Sequence, residues 1–270
     1  MKRLISLCFL GISACGGGGS SSPPPPPPPP PPSIAGIWDL TGVANVDSIA
    51  LVRGDGRVVQ LADNTSTSCR SVAEGQLSVS GSSFTGSGVA VILPGCTNPD
   101  GSTSDTWVNS GTFVESSSIT EQTTTTTANG TKTTVNNAWG FDPLYDEASS
   151  LSKLVGNWSD GPDTMSIDAN GVMSQQDATT GCVLAGQISI IDSTKNLYAV
   201  SFTLNNCTGA SAGANGVTQS GLGALDDKIS PIGFLLAVSG STSNGGVIIT
   251  GGGITLNPIA ATAGLKMRIR

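Results

Sequence analysis

Histidine is absent from all 270 residues. That removes Ser-His and Cys-His nucleophile pairs, His-ligated zinc and imidazole proton shuttles at one stroke. Charged residues are scarce at 11%, aromatic ones scarcer at 4%. Past Lys2 and Arg3, basic residues gather only at Lys266, Arg268 and Arg270, so nothing offers nucleic acid a basic face. Beyond the first fourteen residues no apolar run reaches the roughly 18 residues of a membrane-spanning helix. Serine is plentiful, yet no G-x-S-x-G elbow with a base accompanies it. The "GGGGS" and "TGGGIT" runs lack the lysine and helix of a phosphate loop. The chain therefore offers no catalytic residue, no cofactor site and no metal set, and the expectation is a protein that is not an enzyme.

What fills the chain instead is Gly, Ser, Thr and Val, with helix formers in short supply. That mixture predicts an all-β secreted protein rich in turns.

The amino terminus reads as an address. Lys2 and Arg3 precede a mostly apolar stretch at residues 4–12, too short for a bilayer of about 30 Å. It ends in Ile12-Ser13-Ala14-Cys15, which resembles the lipobox of bacterial lipoproteins. The resemblance implies cleavage before Cys15, a diacylglyceryl thioether on its sulfur and an acyl group on its new amine. Several chains hold firmly where one holds marginally, since each buried CH₂ contributes about 0.8 kcal/mol. Gly16 is not the aspartate that marks inner-membrane retention in the enterobacterial pattern, so the Gram-negative outer membrane is favoured. The membrane, through Cys15, is the first expected partner. Residues 16–22 then predict a flexible joint, and the prolines at 23–32 a polyproline II spacer of roughly 3.1 Å per residue. Losing Lys2 and Arg3 leaves ten basic against nineteen acidic residues, a balance of −9.

The rest of the chain is a tandem duplication. "GIWDL" at Gly36 matches "GNWSD" at Gly156, and "SIALVRGDGRVV" matches "TMSIDANGVM". "CRSVAEGQLSV" matches "CVLAGQISI", "VAVILPGCT" matches "VSFTLNNCT", and "SGTF" matches "SGLG". The blocks keep their order and carry one tryptophan and both cysteines each. The expected organisation is a leader at 1–14, a tether at 15–33, and β modules at 34–150 and 151–270, each large enough for its own core.

In the second copy Tyr198, Val200, Phe202 and Leu204 alternate with small or polar residues, as do Ile188 and Ile190, and a turn at 192–196 joins the two runs into a hairpin. Its open ends carry Cys182 and Cys207. In the first copy Cys69 and Cys96 flank the equivalent pair, with Leu77 and Val79 expected to face Val89, Val91 and Leu93. Antiparallel pairing thus predicts Cys69–Cys96 and Cys182–Cys207, and an oxidising compartment.

Eight strand-like runs per copy suit an eight-stranded antiparallel barrel or a small sandwich. Asn129-Gly130 is a strong hairpin signal between two Thr-rich arms, whose few apolar residues predict a hairpin projecting into solvent or lying at an edge. Residues 142–154 read as a connector with one helical turn. G-x-W at Gly36-Ile37-Trp38 and Gly156-Asn157-Trp158, on the first strand of such a barrel, resembles the calycins, the lipocalins and avidins. That likeness implies a closed barrel holding a small apolar molecule, without any set of ligand residues to carry over.

Other motifs have plain structural readings. Arg53-Gly54-Asp55-Gly56 and Asp168-Ala169-Asn170-Gly171 are matching turns rather than calcium loops. Asn98, Asp100 and Asp105 belong to a surface loop, Asp146-Glu147 and Asp226-Asp227 are solvated pairs, and Trp38 and Trp158 are floor residues of the core. The leading functional expectation is an envelope lipoprotein presenting two β modules to another envelope component or in a structural role. The rival is a carrier of a small apolar ligand. A barrel packed solid by its own side chains would favour the first reading, and a lined, open lumen the second.

Overall fold

A computed structural model describes residues 26–256 apart from 94, 160–163, 178–179, 229 and 242–246, with the backbone alone at 210, 241 and 247–256. Cys15, the leader, the Gly/Ser joint and the basic tail lie outside the described residues. Residues 26–32 are exposed and have no regular secondary structure.

The first copy forms β1 (Gly36–Thr41), β2 (Val46–Val52), β3 (Arg57–Asn64), β4 (Cys69–Ser80), β5 (Ser83–Ile92), β6 (Ser104–Val114), β7 (Ser118–Thr127) and β8 (Lys132–Asp142). Each pairs antiparallel with the next, and β8 returns to β1 to close a barrel. The second copy repeats the order in β9 (Gly156–Ser159), β10 (Thr164–Ile167), β11 (Val172–Gln176), β12 (Val183–Ile190), β13 (Tyr198–Asn205), β14 (Thr218–Asp226), β15 (Gly233–Ser241) and β16 (Val247–Leu256). Its closure between β16 and β9 is short: Thr255 pairs with Ser159 and Leu256 with Trp158. Both copies are thus barrels rather than sandwiches.

The repeated motifs fall on matching elements. Trp38 and Trp158 are fully buried, and each indole Nε1 donates to the carbonyl four residues back, Ile34 at 3.1 Å and Leu154 at 2.7 Å. The donor is satisfied inside the core, which lets the ring serve as apolar filling. Gly56 and Gly171 close the matching β2–β3 and β10–β11 turns at φ of 86° and 79°, a left-handed conformation that glycine adopts without steric cost.

Between the copies Asp142 caps a 3₁₀ turn at Pro143–Asp146 by accepting from the Leu144 amide at 2.9 Å, and a second turn follows at Leu151–Lys153. The connector therefore has two short turns where one was expected.

Both cysteine pairs are bonded as the repeat predicts, with Cα atoms 5.7 Å apart for Cys69–Cys96 and 4.0 Å for Cys182–Cys207. The hairpin register explains the pairing. Ser71 faces Ile92 and Val183 faces Asn205, so each pair sits just beyond the last ladder rungs.

Three apolar clusters form where the sequence predicts two. Trp38, Val52, Leu77, Phe84, Phe113 and Trp139 fill the base of the first barrel. Trp158, Met173, Tyr198, Phe202 and Phe234 form the core cluster of the second. The third lies between them. Ile49, Leu51, Val59 and Leu61 on the outer face of β2 and β3 pack with Leu222, Ala224 and Ala237 on the outer face of β14 and β15. Arg57 Nη2 adds a hydrogen bond to the Ser220 carbonyl at 2.6 Å. These strands are buried on both faces, so their apolar residues run on continuously instead of alternating. The two barrels belong to one compact unit that begins at Pro32.

Three expectations need correction. Leu77 points into the lumen, paired with Gly86, whereas Val89, Val91 and Leu93 turn outward onto the inter-barrel cluster. Alternation put them on the opposite face, and a second apolar surface there made the outward face burial too. Ile190 has the inward parity of Ile188 but ends its strand and is 37% exposed. The Thr-rich hairpin is only partly an edge: β7 is laddered to β6 from Ser118 to Thr127 and β8 to β1 from Ala138 to Asp142, so these stretches are barrel wall, whereas residues 132–137 of β8 pair with β7 alone and form the expected edge.

Candidate ligand cavity

The first barrel is not filled along its whole length. Above the base lies a cavity of about 540 Å³, within the roughly 300–1,000 Å³ of small-molecule sites. Its lining includes Val43 and Val135, 41% and 44% exposed, which place the mouth at the end that carries the Asn129-Gly130 turn. The Cys69–Cys96 bond ties together the β3–β4 turn and the β5–β6 loop on that same rim.

Strand parity splits the lumen lengthwise. From β1 to β5 the inward residues are mostly apolar, including Leu40, Ala50, Val58, Ala73, Phe84 and Ala90. From β6 to β8 they are largely polar: Asp105 and Asn109, then Glu121, Thr123 and Thr125, then Asn137. The Thr-rich arms thus supply a polar inner wall, which is why they carry so few apolar residues. Room for the Trp107 indole comes from a glycine pair, Gly75 facing Gly88 across β4 and β5. A Cβ at either would lie 2.4 or 2.5 Å from the ring. The indole Nε1 donates to the Val89 carbonyl at 3.2 Å.

Glu121 organises the polar wall. Asn109 Nδ2 donates to its Oε2 at 2.7 Å, while Asn137 Nδ2 and Trp139 Nε1 donate to Oε1 at 3.2 and 3.0 Å. Three N–H donors hold one carboxylate in place with no cation against it among the lining residues. Beside it, Asn109 Oδ1 and Thr123 Oγ1 are buried without hydrogen-bond partners, on residues directly paired across β6 and β7. Across the lumen Gln60 Nε2 donates to Ser48 Oγ at 2.9 Å, and Ser48 Oγ donates to the Leu61 carbonyl at 2.9 Å. Nearer the mouth Asp105 accepts from Asn98 Nδ2 at 2.7 Å. Burial raises the Asp105 pKa and the Asp100 charge adds to the rise, while the Asn98 hydrogen bond opposes it.

Of these polar residues the sequence singles out Asn98, Asp100 and Asp105 alone, as a surface loop; Asp105 instead lies on β6 and lines the lumen. Polarity carries little signal here, because "SITEQTTTTT" is largely polar on both parities and the inward parity of "DTWVNSGTF" mixes Asp105 and Asn109 with Trp107 and Phe113. An interior reading of those polar positions requires knowing that the barrel is wider than its core.

The remaining sequence candidates lie elsewhere. Asp55 is paired with Arg53 in its turn, which holds its pKa down at about 2, and Asp168 Oδ1 accepts from Asn170 N and Val172 N, each at 2.8 Å. Among the described residues no cluster of acidic or cysteine side chains could hold a metal. The acidic pairs have found lysines: Asp146 with Lys195 at 2.6 Å, Glu147 with Lys228 at 2.6 Å and Asp227 with Lys153 at 2.8 Å. These exposed pairs contribute at most about 1 kcal/mol each. In the second barrel Tyr198 is fully buried, its hydroxyl accepting from the Ser150 amide at 2.9 Å.

No protein-family model and no curated protein sequence matches this chain.

Proposed function

We propose that the first barrel binds a small, largely apolar molecule in its lumen, and that the second braces it through the cluster the two share. The chain would act as a carrier or scavenger held in the Gram-negative envelope by a lipid on Cys15. The observation that carries this reading is the lumen of the first barrel. It encloses about 540 Å³ behind a rim tied by a disulfide. Trp38 and its neighbours fill the base and Glu121 is held by its own wall, so the protein's own contacts shape the lumen. A closed eight-stranded barrel with a buried G-x-W tryptophan on its first strand supports the calycin likeness, and two disulfides suit an oxidising compartment. The purely structural role is the weaker reading, because a scaffold gains no stability from an unfilled core.

Native mass spectrometry of the protein purified from its own envelope tests both halves. The expected spectrum carries the mass of three acyl chains at Cys15 and a second, dissociable mass. A protein of unmodified mass would end the anchoring reading. An acylated protein that never retains or takes up a small molecule would end the carrier reading.

A further inference from the structure

If the lumen of the first barrel is a ligand site, its electrostatics restrict what can occupy it. Two carboxylates, Glu121 and Asp105, line the cavity, and among the described lining residues there is no lysine or arginine. The polar donors that form hydrogen bonds there are directed at the protein itself. Asn109, Asn137 and Trp139 donate to Glu121, Trp107 to Val89, Gln60 to Ser48, and Asn98 to Asp105. What remains is a net negative wall. Glu121 has lone pairs beyond those its three donors occupy, Asn109 Oδ1 is an acceptor without a partner, and the Thr123 hydroxyl, also without a partner, can accept or donate.

Filling this lumen with any molecule strips water from Glu121, and a carboxylate desolvated without a counter-charge is costly. An anionic ligand adds like-charge repulsion. A neutral hydroxyl supplies one donor and no charge. A protonated amine supplies both, and the apolar wall of β1 to β5 opposite accepts the hydrocarbon body. We infer that the ligand is an amphipathic organic cation whose ammonium group sits at Glu121 on the β6–β8 wall. This inference rests on the carrier reading and sharpens it to a ligand class.

The test is calorimetric titration of the full chain with phenethylammonium, phenethyl alcohol and hydrocinnamate, which share a phenyl-alkyl body and differ in the polar group. A charge-assisted hydrogen bond at a partly desolvated carboxylate predicts that the ammonium binds at least about tenfold more tightly than the alcohol, with hydrocinnamate weakest. Glu121→Gln should abolish the ammonium's advantage over the alcohol, whereas Asp105→Asn, nearer the mouth, should reduce it less. Alcohol or hydrocinnamate binding as tightly as the ammonium overturns the cation inference and leaves the carrier reading standing. Three ligands that all fail to bind overturn both. The comparison on the unaltered chain decides the matter even where Glu121→Gln does not fold.

Discussion

Leu222→Ala should weaken both barrels at once. Leu222 lies on β14 of the second copy, yet its side chain is fully buried in the cluster shared with Ile49, Leu51 and Leu61 of the first. Cutting its isobutyl group back to a methyl forfeits transfer free energy of about 0.8 kcal/mol per carbon. It also leaves a void between two stiff sheets that cannot readily collapse onto it. Together these place the loss toward the middle of the 2–5 kcal/mol range for buried Leu→Ala changes, about 3 kcal/mol. The distinctive part is where the loss appears. Because the cluster joins the copies, amide exchange should accelerate in peptides covering β2 and β3 as well as in those covering β14 and β15. Urea unfolding gives the size, and exchange read by mass spectrometry gives the location. A loss below about 0.5 kcal/mol, or acceleration confined to the second barrel, would refute the third core as an energetic contact.

Replacing Cys69 and Cys96 together by alanine opens a loop with a sequence separation of 27. Unfolding in urea should record a loss of about 2–5 kcal/mol, and a loss confined to the tenths would mean that the ladder alone holds the rim. Asp105→Asn tests the burial of a carboxyl at the mouth. The folded-state pKa of Asp105 is raised, so the native state binds its proton more readily and stability contributed there falls as pH climbs through the raised value. Relative to the parent, the variant should therefore gain stability at neutral pH and lose that gain as pH falls from the raised value toward the usual aspartate value near about 3.9. The opposite trend in unfolding midpoints would contradict the desolvation argument.

Much of the architecture was legible in residue spacing. Duplicated blocks placed Trp38 beside Trp158 and paired the cysteines within copies, because a hairpin's open ends lie close whatever surrounds them. Alternation at Tyr198, Val200 and Phe202 marked an inner face correctly, and Asx-Gly turns were read as turns. Where spacing and structure part, the polarity of a face does not give its environment. Val89 and Val91 are apolar yet face away from the lumen, because an outward face can also be covered. The polar Thr arms are exposed along residues 132–136, yet Thr123 and Thr125 line the lumen, because an inward face can also be polar.

Local sequence thus determines period, turn and strand partner, because those depend on neighbours a few residues away and on the handedness of the chain. It determined eight antiparallel strands per copy, their order and their staples. Only the tertiary structure decided that β7 and β8 close a barrel, that β2 and β14 bury each other, and that Glu121 stands among Asn109, Asn137 and Trp139 rather than in water. Closure and face-to-face packing depend on the summed width and twist of all eight strands, a quantity that no single segment carries. The same summation left room inside the first barrel.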